Sequence, residues 1–137
     1  MKRLKTAGEL EQMRDEILSR HDPEKPCISV CGGTGCHAYR CEDVASAFKA
    51  EIKRRGLSSE VELKMTGCHG FCERGPLVVL YPQKIFYQRV TPDDVPEIIS
   101  ETVRKGNLID KLLYVDPVSG EKAHFENDVP FYKGQQR

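Results

Sequence analysis

Four of the six cysteines fall into two pairs, Cys31-x4-Cys36 and Cys68-x3-Cys72, with 31 residues between the pairs. Thiols gathered at such spacing call for a metal centre or disulfides, because thiolates brought together without either repel one another. Glycine surrounds both pairs: Gly32-Gly33-Thr34-Gly35 lies inside the first, and Gly67, Gly70 and Gly75 flank the second. Glycine permits left-handed backbone and close approach, and loops so built can aim N–H groups at sulfur. Spacing then sorts the metals. Structural zinc favours C-x2-C knuckles, and none occurs here, although a zinc-binding interaction module on the same four thiolates remains the rival reading. The plant-type two-iron pattern C-x4-C-x2-C matches in its first gap only. A Rieske centre would need histidine ligands, and His37 and His69 adjoin Cys36 and Cys68 too directly to bind with them. Both are read as solvent-facing loop residues. Thioredoxin-type exchange needs a C-x-x-C that is missing, while a thiol switch through Cys27/Cys31 or Cys36/Cys41 stays open. A two-iron, two-sulfide core on four thiolates would carry about −2 when oxidised, so loop N–H donors would matter to its potential.

The elements that must position these thiols follow from periodicity. Residues 6–20 form an amphipathic helix with Leu10, Met13, Ile17 and Leu18 on one face. Two prolines, Pro23 and Pro26, break it. Cys27–Cys31 alternates as a strand and runs into a glycine-rich loop, Cys31 to Tyr39. A helix over 41–55 places Cys41, Val44, Ala45, Phe48 and Ile52 on one face and ends at Gly56. A strand over Glu60 to Met65 precedes the second loop, Thr66 to Pro76. Leu77–Tyr81 and Ile85–Val90 read as a hairpin, and a last helix starting between Thr91 and Glu97 turns Val95, Ile98, Ile99 and Val103 inward. If the strands that precede the two cysteine pairs are neighbours, both loops emerge at one end of the sheet. Cys27, about 13 Å from Cys31 along an extended chain, is read as a small buried hydrophobe. Cys41 is assigned to the core.

The expected organisation is an N-terminal helix and linker over 1–25, a central domain over 26–106 and a C-terminal arm over 107–137. In that arm Asp116–Gly120 marks a turn between Leu112–Val115 and Ala123–Phe125. Phe125, Phe131 and Tyr132 in this arm either pack on the domain or meet a partner. The 137 residues carry 21 Lys+Arg against 21 Asp+Glu, and this zero balance argues against generic nucleic-acid or membrane-surface binding. The longest apolar run, Leu77–Tyr81, has five residues, far short of the ~20 that cross a bilayer. No apolar signal segment opens the chain, which suggests a cytoplasmic setting.

The runs Cys31-Gly32-Gly33-Thr34-Gly35-Cys36, Thr66-Gly67-Cys68-His69-Gly70-Phe71-Cys72-Glu73-Arg74-Gly75-Pro76 and Val78-Val79-Leu80-Tyr81-Pro82 resemble the thioredoxin-like [2Fe–2S] ferredoxin family. In more detail they resemble the N-terminal domain of the flavoprotein (NADH-binding) subunit of NAD(P)-linked, often electron-bifurcating, [FeFe] hydrogenases and their complex I relatives. The lead-in Asp22–Pro26 and the exit Asp128–Lys133 fit that setting. The resemblance implies an α/β fold: a thioredoxin-like small mixed β-sheet with flanking helices and a C-terminal extended arm. It implies a [2Fe–2S] cluster held by Cys31, Cys36, Cys68 and Cys72, with Gly33, Gly35, Gly67 and Gly70 shaping the cluster loops and Phe71, Glu73 and Arg74 at the rim. Cys27 and Cys41 fall outside the shared ligand pattern. The implied role is one-electron transfer, without catalysis by this chain alone. The implied partners are a flavin- and NAD(P)-binding domain or subunit, toward which the arm would lead, and other iron–sulfur subunits. A homodimer is an alternative assembly.

Overall fold

Local capping starts the first helix. Thr6 Oγ1 accepts from the Glu9 N–H and the Glu9 carboxylate accepts from the Thr6 N–H, each at 3.2 Å, and α1 runs Ala7–Arg20. Its apolar stripe meets no core: no residue of α1 is buried, and Leu10, Ile17 and Leu18 are each more than half exposed. The computed structural model describes residues 3–135, so the outermost residues of the two terminal segments, 1, 2, 136 and 137, lie outside the described residues.

Four strands, β1 (Cys27–Cys31), β2 (Glu62–Thr66), β3 (Val78–Tyr81) and β4 (Ile85–Tyr87), form one sheet in the order β2-β1-β3-β4. β1 and β2 pair in parallel, whereas β3 and β4 join antiparallel. Parallel neighbours need a crossover. It is supplied by α2 (Thr34–Ala38) and α3 (Cys41–Arg54). The face of α3 that the sequence marked out, Cys41, Val44, Phe48 and Ile52, is buried. This is the thioredoxin-like mixed sheet that the sequence led us to expect.

The main differences from the periodicity reading lie at three elements. The stretch Cys31–Tyr39 is not all loop, because Gly33 starts α2 and the His37 N–H closes a helical turn on the Gly33 carbonyl at 3.0 Å. β2 begins at Glu62, since the Glu60 and Val61 N–H groups turn back to the Leu57 carbonyl. β4 stops at Tyr87: the Gln88 N–H goes to Leu112 of the arm, and Arg89 takes a left-handed backbone at φ 51°.

The last helix begins at a Thr91/Asp94 capping box with Pro92 in its first turn. α4 (Val95–Glu97) then widens into a π-helical stretch, Ile98–Val103. Thr102 rather than Val103 takes the buried position. The Ile109 N–H donates to Tyr87 Oη at 3.0 Å, Tyr87 donates to Thr102 Oγ1 at 2.7 Å, and Thr102 donates to the Asn107 carbonyl at 2.9 Å. Every polar atom of this buried chain is thereby satisfied.

The arm packs on the domain. It carries a small hairpin, β5 (Tyr114–Val115) with β6 (Lys122–Ala123), around the expected turn. Bridges from Leu113 to Tyr87 and from Phe125 to Ile85 cover the outer edge of β4, which blunts an otherwise open sheet edge. Successive strand residues face opposite ways. Tyr87 meets the α4 side, while Phe86 meets Tyr132 of the arm with ring centroids 5.8 Å apart. Among the described residues no helix is long and apolar enough to cross a membrane.

Candidate metal centre

Parallel pairing of β1 and β2 sets Cys31 opposite Thr66, and the Gly32 N–H donates to the Thr66 carbonyl at 2.9 Å. Both cysteine loops therefore leave the same end of the sheet. The first pair is enclosed: Cys31 ends β1 and Cys36 sits inside α2, at 1% and 0% exposure. The second pair is open, with Cys68 exposed and Cys72 half-buried at the start of a short 3₁₀ turn, Cys72–Arg74. The sulfurs form a linked series. The Cys31 thiol is close enough to act on both the Cys36 and the Cys68 thiol, and Cys68 Sγ is 3.4 Å from Cys72 Sγ.

Glycine makes this approach possible. A Cβ on Gly33 would stand 2.7 Å from Cys68 Cβ, and one on Gly35 would stand 2.5 Å from Cys72 Cβ and 2.8 Å from its sulfur. A Cβ on Gly75, which the sequence reading noted only as flanking, would stand 2.8 Å from Cys36 Sγ. Gly70, at φ +80°, donates its N–H to Cys68 Sγ at 3.2 Å. A side chain on Gly67 would reach open space; its carbonyl accepts from Cys31 Sγ at 3.7 Å.

Electrostatics singles out Cys68. Burial, with the neighbouring Cys31 thiol adding to it, pushes the Cys36 thiol up to about 12. Cys68 moves the other way, its thiolate stabilised first by the Gly70 N–H and then by the Cys72 thiol. Cys72 is raised, chiefly because it donates to Cys68. The remaining two cysteines stand apart in role. Cys41 is fully buried at the start of α3, and Cys27 is half-buried at the far end of β1; burial raises both thiols.

Two features of the surroundings complete the site, one against expectation and one among the alternatives the sequence left open. His69 is not solvent-facing: its side chain is 8% exposed, with Nε2 3.0 Å from Thr66 Oγ1 and Nδ1 3.4 Å from Oε1 of the buried Glu126. His37 does face solvent, beside Glu42. In addition, the arm returns over the second loop. Phe131 stacks on Phe71 with ring centroids 5.0 Å apart, and Tyr132 and Tyr114 meet Phe71 edge-on. Arg74, considered as a rim charge, lies over the Tyr114 ring at 5.3 Å and beside Glu73. The aromatic content of the arm was the one sequence signal for this cover. An acidic residue 57 positions from His69 carried none.

Four soft sulfur donors suit zinc or iron–sulfur chemistry. Among the described residues no group of three or more His, Cys, Asp or Glu side chains is placed to hold one metal ion. Cys68 and Cys72 instead form an adjacent couple across from the enclosed Cys31 and Cys36, and a two-iron core asks for two thiolates at each metal. The donor set, the glycine cradle and the N–H aimed at sulfur fit such a core. The comparisons point the same way. A family model described as thioredoxin-like [2Fe–2S] ferredoxin matches residues 16–103. A 2Fe-2S ferredoxin of Clostridium pasteurianum is 39% identical over 77 residues, which are 56% of this chain and 76% of that protein. One from Aquifex aeolicus is 40% identical over 79 residues, 57% of this chain and 71% of that one. The solved thioredoxin-like [2Fe–2S] ferredoxin from Aquifex aeolicus superposes with a TM-score of 0.59 at 30% identity, covering 65% of this chain and 89% of that chain.

Proposed function

The chain belongs to the thioredoxin-like [2Fe–2S] ferredoxin family, and from that premise we propose that Cys31, Cys36, Cys68 and Cys72 hold its cluster. Its cofactor is a [2Fe–2S] cluster and its function is electron carriage. The observation that supports this ligand set is the meeting of these four sulfurs at one end of the sheet, with Gly33, Gly35 and Gly75 leaving no room for a Cβ between the loops. When bound, the cluster takes up and gives back one electron at a time.

The residues around the thiols divide the remaining work. Enclosure of Cys31 and Cys36 removes water from one side, and the stacked Phe71 and Phe131 brace the loop on the other. The Gly70 N–H stabilises negative charge on the Cys68 sulfur. Cys68 is the exposed member, so the surface at Cys68 and Gly70 is the side on which an electron partner is closest. As to setting, we read the chain as the electron-transfer domain of an NAD(P)H-dependent oxidoreductase of hydrogenase or NADH dehydrogenase type. Support comes from the resemblance of its cysteine runs and of its Asp128–Lys133 exit. Its partners on this reading are a flavin- and NAD(P)-binding domain or subunit and further iron–sulfur subunits.

Anaerobic iron–sulfur reconstitution tests the ligand set. The expected product is red-brown, with two irons and two labile sulfides per chain and an EPR signal that appears only on reduction. Tetrahedral zinc without labile sulfide would overturn the reading. Mixing the reduced chain with a flavoprotein dehydrogenase module tests the setting, and absence of electron exchange with flavin would count against it.

A further inference from the structure

The second cysteine loop has little structure of its own, yet its His69 is almost fully enclosed. Enclosure comes from two sides. Thr66, at the end of β2, meets Nε2, and Thr66 is itself within reach of Ser29 and the Val30 carbonyl on β1. Glu126 meets Nδ1 from the arm, at 5% exposure, and its own backbone is fixed where its N–H donates to the Lys84 carbonyl at 2.8 Å. The two nitrogens of one ring face the Glu126 carboxylate and the Thr66 hydroxyl. Arm, loop and sheet are thus joined through one imidazole. The residue after His69 is Gly70, whose N–H points at Cys68 sulfur, and the residue before it is Cys68 itself. Fixing the ring fixes the peptide between a proposed ligand and its hydrogen-bond donor.

We infer that Glu126 is a positioning residue for the cluster: acting through His69, it holds the Cys68–Gly70 backbone so that the Gly70 N–H meets the Cys68 sulfur. The inference rests on the ligand set proposed above. Glu126 lies outside the span matched by the family model, residues 16–103, so the device belongs to this chain's arm.

The full chain, reconstituted anaerobically, carries the test. E126A and H69F should each release iron to a chelator roughly tenfold faster than the parent or more, the usual cost of losing an outer partner of a metal site. Both should shift the EPR g-values and the reduction potential. E126Q, which keeps an oxygen acceptor in place, should stay near the parent. The double variant E126A/H69F should be no worse than either single one, because the two residues act in series. In the metal-free protein, the Gly70 amide should exchange hydrogen faster in E126A. V129A, which loosens a fully buried arm residue, should lower the melting temperature without faster release. E126A at the parent rate, E126Q as poor as E126A, or V129A releasing as fast as E126A would each overturn the inference. A parent chain that binds no two-iron cluster would instead overturn the ligand set.

Discussion

The two cysteine loops leave neighbouring strands at the same end of one sheet, yet they are stabilised by opposite means. The first is folded into regular structure, with Cys36 inside α2 and Cys31 ending the central strand, and its sulfurs see no solvent. The second is a chain of turns with Cys68 at the surface, and beyond the Gly70 N–H within it, what steadies it comes from the arm: Glu126 and the stacked Phe131. One pair is therefore placed by the fold itself and the other by a later segment of the chain. Loss of one sulfur should therefore have different consequences on the two sides. On the first side it disturbs fold and site together; on the second it disturbs the site alone.

Cysteine replacement should separate the two loops most sharply. C36S and C68S should both lose the two-iron absorption on reconstitution. In the metal-free state C36S should also cost about 1–3 kcal/mol in chemical denaturation, since a smaller, more strongly hydrated hydroxyl replaces a fully buried sulfur. C68S should stay within about 0.5 kcal/mol, as surface substitutions do. C41S should show the reverse combination, a stability cost with the cluster kept. Equal denaturation midpoints for C36S and C68S would erase the distinction.

Glycine sharpens it next. G35A drives a methyl to within 2.5 Å of Cys72 Cβ and should cost about 1–3 kcal/mol as the loops are forced apart, with cluster yield falling on reconstitution. G67A meets nothing within 4 Å, so its cost should be a few tenths of a kcal/mol. Iron content and denaturation midpoints for the two variants would show whether the inter-loop contact, rather than loop flexibility, is what the glycines serve.

How much of this could be read in advance depends on how local the cause is. Helix α3 carries its own stripe and its own terminal glycine, and β1 its own alternation, so both were legible from the sequence. So was the meeting of the cysteine loops, once the strands were taken as neighbours. The α2 turn hid behind Gly33 and Gly35, which lower helix propensity although the turn is held by contacts across the site. The exposed stripe of α1 shows that periodicity marks a face without saying what covers it. His69 was misread because its environment is made by Glu126, far along the chain and with no pattern linking the two. Tertiary contacts of that kind leave no periodic trace.

The aromatic cover gives a smaller effect. F131A should remove a ring stacked on Phe71, worth about 0.5–1.5 kcal/mol in such pairs, from a residue already 45% exposed. The consequence should fall on the open side only. In the metal-free protein Cys68 should alkylate faster with iodoacetamide, while Cys36 stays protected. Faster modification of both thiols would mean that the arm guards the whole site and not one loop.

The smallest expected effect concerns the foundation of the first loop and not its sulfurs. Glu51 on α3 accepts from Arg54 and Arg55, and Arg55 also donates to the Pro96 carbonyl, tying α3 to α4. The Arg54 hydrogen bond leads, with Arg55 adding to it, in holding the Glu51 carboxyl at about 2, below its ordinary 4.5. A carboxyl depressed by folding stabilises the folded state above its unfolded value, and that contribution fades as pH falls from about 4.5 toward about 2. Arg54 is largely solvent-facing, so the contribution is about 1 kcal/mol or less. E51Q should therefore be slightly less stable than the parent at neutral pH, and the two stability curves should converge on acidification through that window. The metal-free protein is the one to titrate, because acid also protonates thiolates released from a metal. If the gap between parent and E51Q stayed constant down to pH 2, the ion pair would not be what anchors α3, and packing of Val44, Phe48 and Ile52 alone would have to hold the helix that carries the enclosed side of the site.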